Sequence, residues 1–147
     1  KYILCGKGDK EEYLKDLVKQ LNLQNKVIFA GYRNDIKEIL KLADIFCFPS
    51  YREGLSVALM EAMAIGLPVI CSRIRGNIDL IDENKGGLFF DSNDIIECLN
   101  CIEMLLGNEK KCSDYSLYNL IKIKKFDINK IDFLMEKIYL GNGENYD

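Results

Sequence analysis

Pro49-Ser50-Tyr51-Arg52-Glu53-Gly54-Leu55-Ser56-Val57-Ala58-Leu59-Met60-Glu61-Ala62-Met63-Ala64-Ile65-Gly66-Leu67-Pro68-Val69 is the stretch on which the fold turns. Proline at 49 ends the apolar run 45–48, because it has no N–H to give to a strand ladder. A loop runs from 50 to about 55, and the composition from there to 65 suits a helix. Gly66 stands where a helix C-terminal cap belongs, Pro68 follows it, and a second apolar run opens at Val69. Strand, helix and strand in that order make a crossover unit, whose two strands lie parallel.

The same alternation extends in both directions. Tyr2 to Cys5 is a short apolar run ending in Gly6-Lys7-Gly8, and beyond it Leu14, Leu17, Val18 and Leu21 recur at helical spacing. Asp9 and Glu12 have the spacing of a capping box at the start of that helix. Residues 27–30 read as a strand ended by Gly31, and Asp35 opens a short helix with Ile36, Ile39, Leu40 and Ala43 inward. After the strand at 69–71, Gly76-Asn77 marks a turn, 78–81 a short helix, and Gly86-Gly87 a break before a strand at 88–90. Residues 93–106 form an amphipathic helix, periodicity weakens beyond Gly107, and 141–147 read as a disordered tail. Short apolar strands alternating with helices imply an α/β fold, a Rossmann-like doubly wound parallel sheet, with ligands bound at the carboxyl ends of the strands.

Composition narrows the function. The chain has 147 residues, 48% of them hydrophobic, which suits one α/β domain over residues 1–140. A net charge of −3 with interspersed signs leaves no basic field for a nucleic-acid backbone. No apolar run is long enough to span a bilayer, and the opening residues lack the parts of a secretion signal. The sequence opens without Met in an apolar run, which suggests a piece of a longer polypeptide. Of the six cysteines, Cys5, Cys47 and Cys71 fall in apolar runs read as buried strands, and Cys98, Cys101 and Cys112 in the later helical region. With no histidine and no second C-x-x-C, buried free thiols of a cytoplasmic protein are the simplest account, and no metal site is expected.

Glu53 and Glu61 are the candidate chemistry. On one helix, eight positions would put them about 12 Å apart along the axis and some 80° out of phase. That is a poor match to a hydrolytic pair, whose carboxyl groups sit roughly 5 to 9.5 Å apart across one bond. With Glu53 on the loop and Glu61 in the helix, the two can instead grip different parts of one elongated ligand. Its anion would lie at the helix N-terminus, where the N–H groups from Gly54 to Val57 and the dipole favour phosphate. Gly54 lets the backbone approach without a Cβ. A nucleotide diphosphate sugar has this form, with hydroxyls at both ends and phosphates between, and both carboxylates could accept charge-assisted bonds from it. Spacing also allows a plainer reading, with Glu61 a solvated helix residue and Glu53 a loop charge. Gly6 and Gly8 fit a tight strand-to-helix turn or a phosphate cradle that lacks its third glycine. Arg33 and Arg52 follow strands and could reach phosphate or solvent.

The stretch resembles the signature of the family 4 glycosyltransferases, retaining enzymes of GT-B fold. Their C-terminal domain carries Pro-Ser, Glu-Gly, a second glutamate with seven residues between the two, then Ala-x-Ala-x-Gly-x-Pro-Val. Pro49-Ser50, Glu53-Gly54, Glu61-Ala62, Ala64, Gly66, Pro68 and Val69 carry the likeness. Cys5 to Gly8, residues 27–31 and Gly87-Leu88-Phe89 extend it over roughly residues 2 to 106.

The resemblance implies that Glu61 binds the ribose, that Glu53 is the catalytic-site contact to the donor sugar, and that amides at Gly54, Leu55 and Ser56 meet the distal phosphate. It places Gly6 in the glycine loop and Gly31, Tyr32 and Arg33 along the base; the segment 72–77, after its strand, could approach the donor sugar from the opposite wall. The implied reaction transfers a sugar from a UDP- or GDP-sugar to an acceptor hydroxyl with retention, with no cofactor and no metal. The acceptor, a glycan or lipid-linked sugar, would be held by an N-terminal domain that this sequence lacks, so the isolated chain would bind donor without transferring it. Capsule, exopolysaccharide or lipopolysaccharide synthesis in a bacterial cytoplasm, peripheral to the inner membrane, would follow. A non-catalytic nucleotide-binding domain and the donor half of a sugar-nucleotide epimerase are the alternatives.

Overall fold

The computed structural model describes residues 1–139; the tail expected at 141–147 lies outside the described residues. The chain divides into two compact units, one spanning Lys1–Ile39 and one from Leu40 onward.

In the first unit, strands β1 (Tyr2–Cys5) and β2 (Val27–Gly31) pair in parallel, and helix α1 (Glu11–Gln20) connects them. The register runs Tyr2 to Val27 and Ile3 to Ile28, then slips after Leu4 so that Cys5 lies opposite Gly31. Three expectations change here. Lys10, not Asp9, occupies the N-cap position of α1 and makes no side-chain cap bond. Glu12 pairs with Lys15 instead, at 2.8 Å, so the capping box does not form. Cys5 is exposed, not buried, since it ends its strand. Helix α2 (Ile36–Leu40) carries the chain onward.

The second unit is built on a parallel sheet of β3 (Phe46–Phe48), β4 (Val69–Ser72) and β5 (Gly87–Phe90), in that order. Alternation along a strand sends neighbours to opposite faces. Val69, Cys71 and Phe89 therefore share one face with Leu59, Met63, Leu80 and Ile81, from helix α3 (Val57–Ile65) and from helix α4 (Arg75–Leu80) with its end. Ile70, Leu88 and Phe90 occupy the other face, with Cys101 and Leu105 of helix α5 (Ile95–Leu106) and Tyr115 of helix α6 (Glu109–Lys122). The sheet is thus covered on both sides, which explains why its strands read as unbroken apolar runs. All strand pairing is parallel, as expected of the α/β class, and it falls into a two-stranded and a three-stranded sheet.

Gly66 ends α3 in the left-handed conformation at φ 84°, and its N–H reaches back to the last turn. Helix α4 begins at Arg75, so Gly76-Asn77, expected as a turn, lies inside a helix. Past Gly107 the chain is more helical than its pattern suggests, with α6, a 3-10 turn at Ile123–Phe126 and helix α7 (Ile128–Tyr139). The six cysteines are free. Burial pushes the Cys47 and Cys71 thiols up to about 12 and raises Cys98 and Cys101 as well, which disfavours the thiolate form. Among the described residues, no helix is long and apolar enough to cross a membrane.

Candidate functional site

The carboxyl end of the β3–β5 sheet gathers the residues with chemical potential. β3 stops at Phe48, and the chain passes through Pro49 and Ser50 to Glu53 and Gly54 before α3 begins. Ser56 caps that helix: its backbone is extended and its Oγ accepts from the Leu59 N–H at 3.4 Å. The helix therefore starts at Val57, slightly later than its composition suggests. Glu53 lies on the loop and Glu61 just over one turn into α3; both are half-buried. The first amides of a helix lack intrahelical acceptors and sit at the positive end of its dipole. Gly54, Leu55 and Ser56 precede that end directly, with Gly54 and Leu55 exposed and Ser56 buried.

The loop is held by groups from all three strand ends. Ser50 Oγ donates to Glu53 Oε1 at 2.8 Å. The Ser50 carbonyl accepts from two hydroxyls, Ser72 Oγ at the end of β4 and Ser92 Oγ after β5, the latter at 3.4 Å. Asn77 of α4 donates from Nδ2 to the Ser72 carbonyl at 2.9 Å and to Ser72 Oγ at 3.3 Å. Gly76 packs so closely on the loop that a Cβ there would collide with the Gly54 carbonyl oxygen. The segment 72–77 thus supports the Glu53-Gly54 turn. Sequence reading missed this role for Gly76, whose signal is a glycine inside a helix, and missed Ser92 altogether, since a serine in a turn carries no signal of what it faces.

The cations near this end differ in their commitments. Arg73, just past β4, forms a two-pronged pair with Glu83, at 3.0 and 2.5 Å, and lies over the Phe89 ring at 5.1 Å. That guanidinium holds the Glu83 carboxyl below its usual range. Arg52 and Arg75 are exposed.

The remaining sequence candidates belong to the first unit. The Gly6 N–H donates to the Gly31 carbonyl at 2.7 Å, and both glycines have positive φ, 114° and 63°. Gly6, Lys7, Gly8, Lys10, Phe29 and Gly31 line a small groove of about 190 Å³ there. Tyr32 is exposed. Arg33 pairs within its own loop: its Nε and Nη2 donate to Asp35 at 2.7 and 2.5 Å, and this pair, exposed to solvent, holds the Asp35 carboxyl below its usual range. A larger, open hollow of about 470 Å³ lies at the amino end of the β3–β5 sheet, beside Asn84, Lys85 and Lys111, away from the two glutamates. Among the described residues, no group of three or more His, Cys, Asp or Glu is arranged to hold a metal ion.

Comparison with known proteins agrees on the family. The family model described as "Glycosyl transferases group 1" matches residues 1–119. The UDP-Gal:alpha-D-GlcNAc-diphosphoundecaprenol alpha-1,3-galactosyltransferase of Escherichia coli is 31% identical over 146 residues, which covers 92% of this chain and 38% of that protein. The amylovoran biosynthesis glycosyltransferase AmsK of Erwinia amylovora is 42% identical over 94 residues, 58% of this chain and 23% of its own length. The chain therefore spans well under half the length of these curated relatives. Among solved structures, Anabaena HepE in complex with UDP superposes with a TM-score of 0.86 at 24% identity, covering 95% of this chain and 40% of that one, a likeness of fold.

Proposed function

The chain belongs to the group 1 glycosyltransferases, of the family 4 type with a GT-B fold and with relatives in polysaccharide biosynthesis, and on that premise we propose that it holds a nucleotide diphosphate sugar for transfer, with retention, to an acceptor hydroxyl. The observation that carries this reading is the pairing of a Ser50-held Glu53 carboxylate with a helix N-terminus immediately after it and Glu61 in the next turn.

The chemistry follows from where charge develops. As the bond to the sugar breaks, the leaving nucleoside diphosphate gathers negative charge on its distal phosphate. Amides of Gly54, Leu55 and Ser56, together with the positive end of α3, meet that charge without having to reorganise. Glu53 accepts from hydroxyls of the donor sugar and Glu61 from the ribose, both as charge-assisted bonds. No Asp-x-Asp pair occurs in the sequence, so the proposal uses these groups in place of a protein-held metal.

A uridine nucleotide is the first donor to try, because UDP is the ligand of the HepE structure and UDP-Gal is in the name of the Escherichia coli relative. That name also points to a lipid-linked sugar as acceptor. This chain covers 38% of that relative, and we assign acceptor binding to the part it does not span. The isolated chain is then a donor-binding module without transfer activity, acting in the cytoplasm where activated sugars are made.

Calorimetric titration with UDP, GDP and ADP tests the reading. Saturable binding of one nucleotide is expected, weakened by about 1.5 to 3 kcal/mol in Glu61→Ala through lost charge-assisted bonds. Equal affinity in the wild type and Glu61→Ala would remove the ribose role and, with it, the orientation of the donor.

A further inference from the structure

The Ser50 carbonyl lies beyond the last paired residue of β3, since the ladder with β4 ends at Phe48 opposite Cys71. Past that point nothing in the sheet itself fixes the backbone. Two hydroxyls replace the missing ladder bond, one from the end of β4 and one from beyond β5, and together they fill both acceptor positions of that oxygen. Asn77 sets the direction of the first. Its amide donates to Ser72 Oγ, which leaves the Ser72 hydroxyl hydrogen to point at Ser50, and its second bond fixes the Ser72 main chain. Ser72 and Asn77 are both wholly buried, so water cannot substitute for either. At the far end of the relay, Ser50 Oγ donates to Glu53 Oε1 and so holds one oxygen of that half-buried carboxylate. Gly76 packs against the Gly54 carbonyl, so closely that it leaves no room for a Cβ.

We propose that Ser72 and Asn77 are positioning residues for donor-sugar recognition: acting through Ser50, they fix the orientation of the Glu53 carboxylate. The inference rests on the donor-binding reading above and deepens it. It assigns discrimination of the sugar, as distinct from the nucleotide, to a buried relay that touches no ligand. Nucleotide affinity comes from Glu61 and the start of α3, which the relay does not reach by hydrogen bonds. The ratio of nucleotide-sugar to nucleotide affinity should therefore register the relay, and general destabilisation should not.

The experiment measures that ratio for UDP, GDP and a set of UDP- and GDP-hexoses on the 147-residue chain. Variants are Glu53→Gln, Ser72→Ala, their combination, and Asn119→Ala as a buried control at the opposite end of the sheet. Ser72→Ala should lower the ratio about five- to tenfold, as expected for a buried polar contact, and should have no further effect in the Glu53→Gln background. Asn119→Ala should leave the ratio unchanged while lowering the melting temperature. Ser92→Ala, from a half-buried residue with the longer bond, should give a smaller loss of the same kind and stands in if Ser72→Ala does not fold. A ratio that responds to Glu53→Gln but not to Ser72→Ala or Ser92→Ala overturns the relay alone. A ratio indifferent to Glu53→Gln for every hexose overturns the sugar contact itself, and the relay with it.

Discussion

Asn77 and Asn119 sit at opposite ends of the same three-stranded sheet and use the same chemistry for different ends. Both are wholly buried, both give two hydrogen bonds from Nδ2, and both leave Oδ1 without a partner. Asn119, on α6, reaches the Leu67 and Gly86 carbonyls, each at 2.8 Å, just before β4 and β5 begin. Its constraint ends in main chain and ties α6 to the amino end of the sheet. Asn77 gives one of its bonds to a hydroxyl, and a hydroxyl donates in turn, so its constraint passes on to Ser50 and reaches Glu53. Each asparagine has a glycine beside it or next to it. A Cβ on Gly86 would meet the Asn119 side chain, and one on Gly76 would meet the Gly54 backbone. At the amino end the brace stops at main chain; at the carboxyl end, where open α/β sheets bind their ligands, it continues to the Glu53 side chain proposed above to meet the donor sugar.

The glycines should separate the two ends most sharply. Gly76→Ala forces backbone against backbone, which no rotamer change relieves, and should cost about 3 kcal/mol of stability together with most of the donor affinity. Gly86→Ala displaces a side chain instead, and should destabilise without touching the affinity of the molecules that still fold. Chemical denaturation and titration of both variants check this, and retained donor binding in Gly76→Ala would dissolve the contrast. The asparagines come next. Each change to Ala removes two buried hydrogen bonds and should cost about 2 kcal/mol. Equal losses in stability with unequal losses in the nucleotide-sugar ratio, confined to Asn77→Ala, would sharpen the comparison.

The crossover unit was legible because its signals are local: Pro49 stops β3, Gly66 turns α3 and Val69 restarts the sheet. The loop position of Glu53 and the helical position of Glu61 could be read from the same stretch. What could not be read involves partners far apart in sequence. Ser72 and Ser92 meet the Ser50 carbonyl across 22 and 42 residues, and small polar residues after strands look like ordinary loop. Helix α6 was faint for a related reason. Its buried positions are Tyr115 and Asn119, four apart, and an asparagine facing inward is invisible to a search for apolar periodicity. At α1 the local signal misled, because Lys15 draws both Glu11 and Glu12 into ion pairs and leaves the capping spacing unused.

The smallest effect belongs to the amino end, and acid should expose it. Asp82 lies just before the turn into β5, and two residues of α6 reach its carboxyl: the Tyr118 hydroxyl donates to Oδ2 and Lys122 Nζ lies 2.9 Å from Oδ1. The Tyr118 hydrogen bond first, and the Lys122 contact second, hold this carboxyl below its ordinary value of 3.8, against a partial burial that would raise it. A group whose folded value is depressed stabilises fully above its unfolded value and loses that contribution as the pH falls through the folded one. The contribution should therefore be complete at neutral pH and disappear as the pH drops below about 4. With the Asp82 side chain 42% exposed, solvent screening keeps it under about 1 kcal/mol. Thermal melts of the wild type and Asp82→Asn should differ by roughly 2 °C at pH 7 and converge in acid. Because this contact ends in α6, as Asn119 does, the variant should leave the nucleotide-sugar ratio untouched; a change there would mean that the two ends of the sheet are coupled and that the division between brace and relay is false.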